Sequence, residues 1–169
     1  MLELKVLHAN AIPRALERAE RYRLLNEPWE AESICRDVLR ADPENQPSLV
    51  TLLLALTDQF GAAGATQAQA RELLPRLGSP YERAYYAGVI CERWAKAALA
   101  GAAPGNVVYD WFGEAMRLYD EAEKLSPPGN EDAVLRWNAC LRQLQKHPHL
   151  RPAPHDGFDG GFSDHLPPR

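Results

Sequence analysis

The stretch Ala31–Asn45, AESICRDVLRADPEN, decides how this chain is read. Ala31, Cys35, Val38 and Leu39 recur at steps of three and four, which places them on one face of a helix. The chain then stops on Asp42-Pro43, because a proline lacks the backbone N–H and its ring clashes with the preceding turn. A small residue, a larger one four on, and a proline twelve after the first is an arrangement that can be sought elsewhere in the chain.

Helical periodicity continues on both sides of this stretch. The first predicted helix runs from about Ile12 to Leu25, marked by Ile12, Ala15, Leu16, Ala19, Tyr22 and Leu25, with Pro13 tolerated in its first turn. The second covers Pro28 to Arg40. Pro47 opens a third, to about Phe60, which is apolar on most sides and so belongs between neighbours. After the turn GAAG (61–64) a fourth reaches about Leu77, and a fifth spans Pro80 to Leu99. GAAPGN (101–106) turns into a sixth ending near Leu125, and a seventh covers Glu131 to Lys146. Residues 2–7, LELKVL, fit either an extended arm or the beginning of a helix. The fold class is all-α, with an N-terminal arm at 1–11, a helical domain at 12–147 and a Pro/Gly-rich extended tail at 148–169.

The opening arrangement recurs. Ala115, Tyr119, Ala122 and Pro127 reproduce it in the sixth helix, and Tyr22 stands nine residues before Ala31. Ala68 to Pro80 reproduces only the ends, with Glu72 and Pro75 between. This pattern resembles the tetratricopeptide repeat: an aromatic on one helix, A-x3-F/Y-x2-A on the next, then proline. The alanine lets paired helices cross closely and the larger residue fills the groove beside it. Pro43, Pro80 and Pro127 lie 37 and 47 residues apart, against about 34 in the ideal repeat. The resemblance implies a right-handed α-solenoid of three degenerate hairpins over residues 12–147, with the seventh helix as a solvating cap.

Composition narrows the function classes. Nineteen basic against 23 acidic residues, with no basic run, do not describe a nucleic-acid binder. The apolar run LVTLLLAL (49–56) is far short of the ~20 residues of a membrane span. Glu3 stands where a secretory leader carries its basic start. Cys35, Cys91 and Cys140 form no CxxC and suit a reducing compartment, so the expected location is cytoplasmic. No GxSxG, P-loop or GxGxxG occurs. Cys91, in VICERW, reads as a packed thiol, and Glu30, Glu32 and Asp37 as scattered solvent-face carboxylates. Tyr81, Tyr85, Tyr86 and Trp94 read as an inter-helix aromatic core. His147, His149, His155 and His165 lack metal-ligand spacing, and DGFDGGFSD lacks the closing Glu of a calcium loop. The expectation is a protein with no catalytic site, metal or cofactor.

Tetratricopeptide proteins hold other proteins in a concave groove, and the resemblance implies a protein partner here. By helical register the groove carries Leu16, Glu20, Val50, Leu54, Trp94, Asn138 and Leu141, mostly apolar and suited to an amphipathic helix or an aromatic-bearing peptide. The family's cationic clamp for acidic C-termini is not matched, since Leu16, Glu20, Val50 and Leu54 occupy the positions concerned. In the tail, Phe158 and Phe162 each follow a glycine among aspartates, as in a linear docking motif or an arm that packs on its own groove. The expected function is an interaction scaffold or an accessory subunit of a larger bacterial assembly. The alternative is a chaperone-like assembly factor that holds one subunit transiently.

Overall fold

Prolines and short polar side chains set the helix starts. Pro13, Pro28, Pro47 and Pro80 each sit in a first turn, where the missing N–H has no intrahelical partner to lose. Asn45 accepts a hydrogen bond from the Ser48 amide at 3.0 Å, and Ser79 from that of Glu82 at 3.1 Å. Both caps satisfy amides that a helix beginning leaves free. The computed structural model describes residues 1–62 and 65–152. It contains α1 (Ile12–Leu24), α2 (Pro28–Ala41), α3 (Gln46–Asp58), α4 (Gln67–Arg71), α5 (Pro80–Ala100), α6 (Gly105–Lys124) and α7 (Asp132–Lys146). Single 3₁₀ turns lie at Ala9–Ala11 and Leu74–Arg76, and no strand occurs among the described residues.

Six of the seven helices fall close to their expected bounds; the fourth does not. It was expected to reach Leu77, but α4 ends at Arg71, and Leu74–Arg76 form a 3₁₀ turn. Pro75 is the physical reason, since it disfavours α geometry in the residue before it and cannot donate to a continuing helix. The expected register is also displaced: Ala68 and Glu72 are exposed, whereas Ala70, Leu73 and Leu77 are buried. Residues 2–7 adopt no helix, and Leu2, Leu4 and Val6 are exposed.

Packing follows chain order. The first core gathers Ala19, Ala31, Cys35, Leu49, Leu53, Leu56, Ala70 and Leu77, from α1 to the turn before α5, together with Ile90 of α5. The second gathers Val89, Cys91, Ala95, Val108, Phe112, Ala115, Tyr119, Ala122, Ala133 and Cys140, from α5 to α7. Leu54 and Tyr86 pack against both. The template residues Ala31, Cys35 and Val38 of α2, and Ala115, Tyr119 and Ala122 of α6, are all fully buried. α5 and α6 approach so closely at Gly88 that an added Cβ would lie 2.6 Å from the Tyr119 ring. Only a hydrogen fits there.

Candidate functional site

The candidate groove residues come from alternate helices. Leu16 and Glu20 are on α1, Val50 and Leu54 on α3, Trp94 on α5, and Asn138 and Leu141 on α7. Glu20 is exposed and the other six are half-buried. Val50 packs on the first core, and Leu54 on both cores. Trp94 meets Phe60 edge-on, ring centres 5.2 Å apart, and with Gly61, Ala97 and Ala98 borders a shallow apolar depression of about 150 Å³. Phe158 and Phe162 lie outside the described residues.

The same four helices are tied side to side by ion pairs that register did not reveal. Arg23 of α1 donates to Asp58 of α3 at 2.7 Å. Arg93 of α5 also donates to Asp58, to the Thr57 hydroxyl at 2.8 Å and to the Leu54 carbonyl at 3.2 Å. On α5, Glu92 is fully buried. Its carboxylate receives the Tyr119 hydroxyl of α6 at 2.6 Å, Lys96 one turn along, and Arg136 of α7 at 3.3 and 3.4 Å. A buried carboxylate survives only where donors replace its lost water, and three side chains do so here.

These surroundings set the ionisation of the cluster. Burial alone would raise the Glu92 pKa, but the hydrogen bonds from Lys96 and Tyr119 and the charges of Lys96 and Arg136 outweigh it, so the carboxyl sits below its ordinary value of 4.5. Tyr119 is driven well above the usual phenol range by burial and by the Glu92 charge. It stays protonated, as a donor must. The candidate residues Leu54 and Trp94 therefore share their helices with charged neighbours: four cations, Arg23, Arg93, Lys96 and Arg136, are held by two carboxylates, Asp58 and Glu92. Glu92 was legible only as a neighbour of Cys91. The usable signal was its spacing of four from Lys96 on a helix otherwise rich in small and aromatic residues.

The remaining candidates fall into place as packing groups. Tyr81 stacks on Tyr85 at 5.6 Å, and Tyr85 contacts Tyr86 and Tyr119, so these tyrosines form the α5–α6 interface. Trp94 stands apart from them, on Phe60. The three thiols are buried and unpaired; burial pushes Cys35 and Cys91 up to about 11 and Cys140 to about 12. They are poor nucleophiles at neutral pH. Glu32 is half-buried rather than scattered on a solvent face, and it holds Arg36 at 2.6 Å and Gln59 of α3 at 2.8 Å. No group of three or more metal-ligating side chains occurs among the described residues. No described helix is long and apolar enough to cross a membrane. No protein-family model, curated protein or solved structure matches the chain.

Proposed function

We propose that the chain is a non-catalytic protein-binding scaffold built of tetratricopeptide-like hairpins, its partner held on the face shared by α1, α3, α5 and α7. One observation carries this reading: the ion pairs from Arg23 through Asp58 to Arg93, and from Glu92 to Arg136, link four alternate helices edge to edge. Linked alternate helices can expose a single surface, while α2 and α6 each bury one face and leave the other exposed. The identical burial of Ala31/Cys35/Val38 and Ala115/Tyr119/Ala122 supports the hairpin reading. On that face, Trp94 and Leu54 offer apolar contact and the arginines offer hydrogen-bond donors, a mixture that characterises partner-binding anchors.

Photo-crosslinking in the native host tests this. A benzophenone side chain placed at Leu16, Trp94 or Leu141 is expected to trap one recurrent protein, whereas one at Leu135, exposed on α7, is not. Trapping the same proteins from Leu135, or none from the three positions, would overturn the assignment.

A further inference from the structure

Residues 2–6 of the N-terminal arm, LELKV, set apolar and charged side chains in strict alternation outside both cores. Leu2, Leu4 and Val6 are each at least 73% exposed. Glu3 and Lys5, between them, are exposed too, and neither has an ion-pair partner among the described residues. In a strand, this alternation puts the three apolar side chains on one face and the two charges on the other. The arm belongs to no helix or turn, and residues 1–7 make no backbone–backbone hydrogen bond among the described residues. Single exposed apolar residues are ordinary. A row of them beside unpaired N–H and C=O groups is a template for another strand.

We propose that the arm pairs with the arm of a second copy of this chain, as an antiparallel two-stranded ribbon centred on Leu4. The inference does not rest on the function proposed for the α1/α3/α5/α7 face. Charge selects both the occupant and the register. With Leu4 opposite the partner's Leu4, Glu3 meets the partner's Lys5, Lys5 meets the partner's Glu3, and Leu2 and Val6 face each other at both ends. Unlike charges directly across a strand pair stabilise it, and like charges weaken it. Sliding the register by two sets Glu3 against the partner's Glu3, or Lys5 against the partner's Lys5. Sliding it by one sets leucines against charges, and a parallel pairing in register opposes both like pairs. One arrangement satisfies every side chain.

That arrangement is its own two-fold mate, so association closes at a dimer. A two-stranded ribbon alone is marginal in water, and the body of the protein supplies further apolar surface beside it. The arm is rooted where the Ala11 amide donates to the His8 carbonyl at 2.9 Å, just before α1. From there it passes α2, and Leu4 borders a cleft lined by Leu39, Leu52, Leu56 and Leu73. Directly opposed Cα atoms in an antiparallel pair are about 4.5–5.5 Å apart. The partner's Leu4 therefore arrives at the mouth of the same leucine-lined cleft.

Sedimentation equilibrium of the full chain over about a hundredfold range of concentration tests the proposal, because mass action separates monomer from dimer. The native chain is expected to pass from one chain mass to two. Glu3→Lys and Lys5→Glu each oppose like charges and should weaken the dimer about tenfold or more. Glu3→Lys/Lys5→Glu restores unlike pairs and should dimerise as the native chain does. Native and doubly exchanged chains, mixed with one of them tagged, should each pair with their own kind, since the antiparallel register opposes like charges between them. All these variants alter exposed arm residues only. A native chain that stays monomeric throughout overturns the proposal. A dimer indifferent to Leu4→Asp also overturns it, by moving the contact elsewhere. So does free mixing of native with doubly exchanged chains, which a parallel pairing would produce.

Discussion

The two halves of the molecule solve the same packing problem with different materials. Around α1–α4 the core is leucine and alanine, and its buried polar groups are the short hydroxyls of Ser48, Thr51 and Thr57. Around α5–α7 the core includes a carboxylate, Glu92, clamped by a tyrosine, a lysine and an arginine from three helices. Apolar packing tolerates any pH but depends on volume. A buried ion cluster tolerates some reshaping but depends on every member keeping its charge. The first half is therefore sensitive to cavities and overpacking, and the second to protons as well.

The largest expected effect breaks both halves at their matching alanines. Ala31→Trp and Ala115→Trp each force an indole into a site with no free surface, and overpacking of this size costs about 3 kcal/mol or more. Urea unfolding should show each variant losing most of its stability, with m-values similar to each other. If either variant unfolds at the native midpoint, the helix pairing around that alanine is not as described.

Next comes the charge cluster itself. Glu92→Gln keeps the volume but leaves Lys96 and Arg136 without a counter-charge. Removing one partner of a buried pair costs about 3–5 kcal/mol; because Lys96 and Arg136 are partly exposed and can rehydrate, about 2–3 is expected. The pH dependence sharpens the comparison. Glu92 has a folded-state pKa below its ordinary 4.5, so its stabilisation is fully present above that value and is lost as pH falls through the lower, folded one. The native chain should lose stability steeply in acid, and Glu92→Gln should lose it less steeply. Glu114, held low by Arg117, contributes to the slope that remains. Equal slopes for the two proteins below pH 4.5 would remove Glu92 from this role.

What the sequence made legible divides along the same line. The all-α class, six helix positions and the buried template residues of α2 and α6 followed from period and punctuation, because local propensity and burial agree there. The fourth helix misled because Ala68 and Pro80 match in spacing, while Pro75 forbids the helix between them. Trp94 was grouped with the tyrosines by helical face, yet Phe60, beyond the end of α3, reaches it first. The candidate face was legible as a set of alternate helices but not in its chemistry. Arg23, Asp58, Arg93 and Arg136 are separated by more than thirty residues at each step, and nothing local distinguishes a charge that pairs across helices from one that faces water.

Gly88 offers a smaller, purely steric test within the second half. An alanine there would bring its methyl to 2.6 Å from Tyr119 Cε1, so the ring or the helix must move. The gain in helix propensity from Gly to Ala is up to about 1 kcal/mol. Overpacking at about 1–3 kcal/mol outweighs it, and a net loss of about 1–2 kcal/mol is expected. Because Tyr119 also holds Glu92, Gly88→Ala should blunt the acid response as well as lower the denaturation midpoint. A midpoint shift with an unchanged acid response would separate the ring's packing from its hydrogen bond.

The smallest effect concerns the link between the halves. Asp58 at the end of α3 accepts from Arg23 in the first unit and from Arg93 in the second, so it is the point where the two are joined electrostatically. Pairs near the surface contribute about 0.2–1 kcal/mol each. Asp58→Asn retains an acceptor oxygen but leaves two guanidinium groups facing one another, and their repulsion is screened by salt over about 10 Å at 0.1 M. The variant should lose about 1 kcal/mol in dilute buffer and noticeably less at high salt. If the loss is the same at both ionic strengths, Asp58 acts as a neutral acceptor that positions Arg93 over Leu54 and Thr57. In that case the two halves are held together by the packing of Leu54 and Tyr86, and the charged row serves only to decorate a joint that apolar contact already makes.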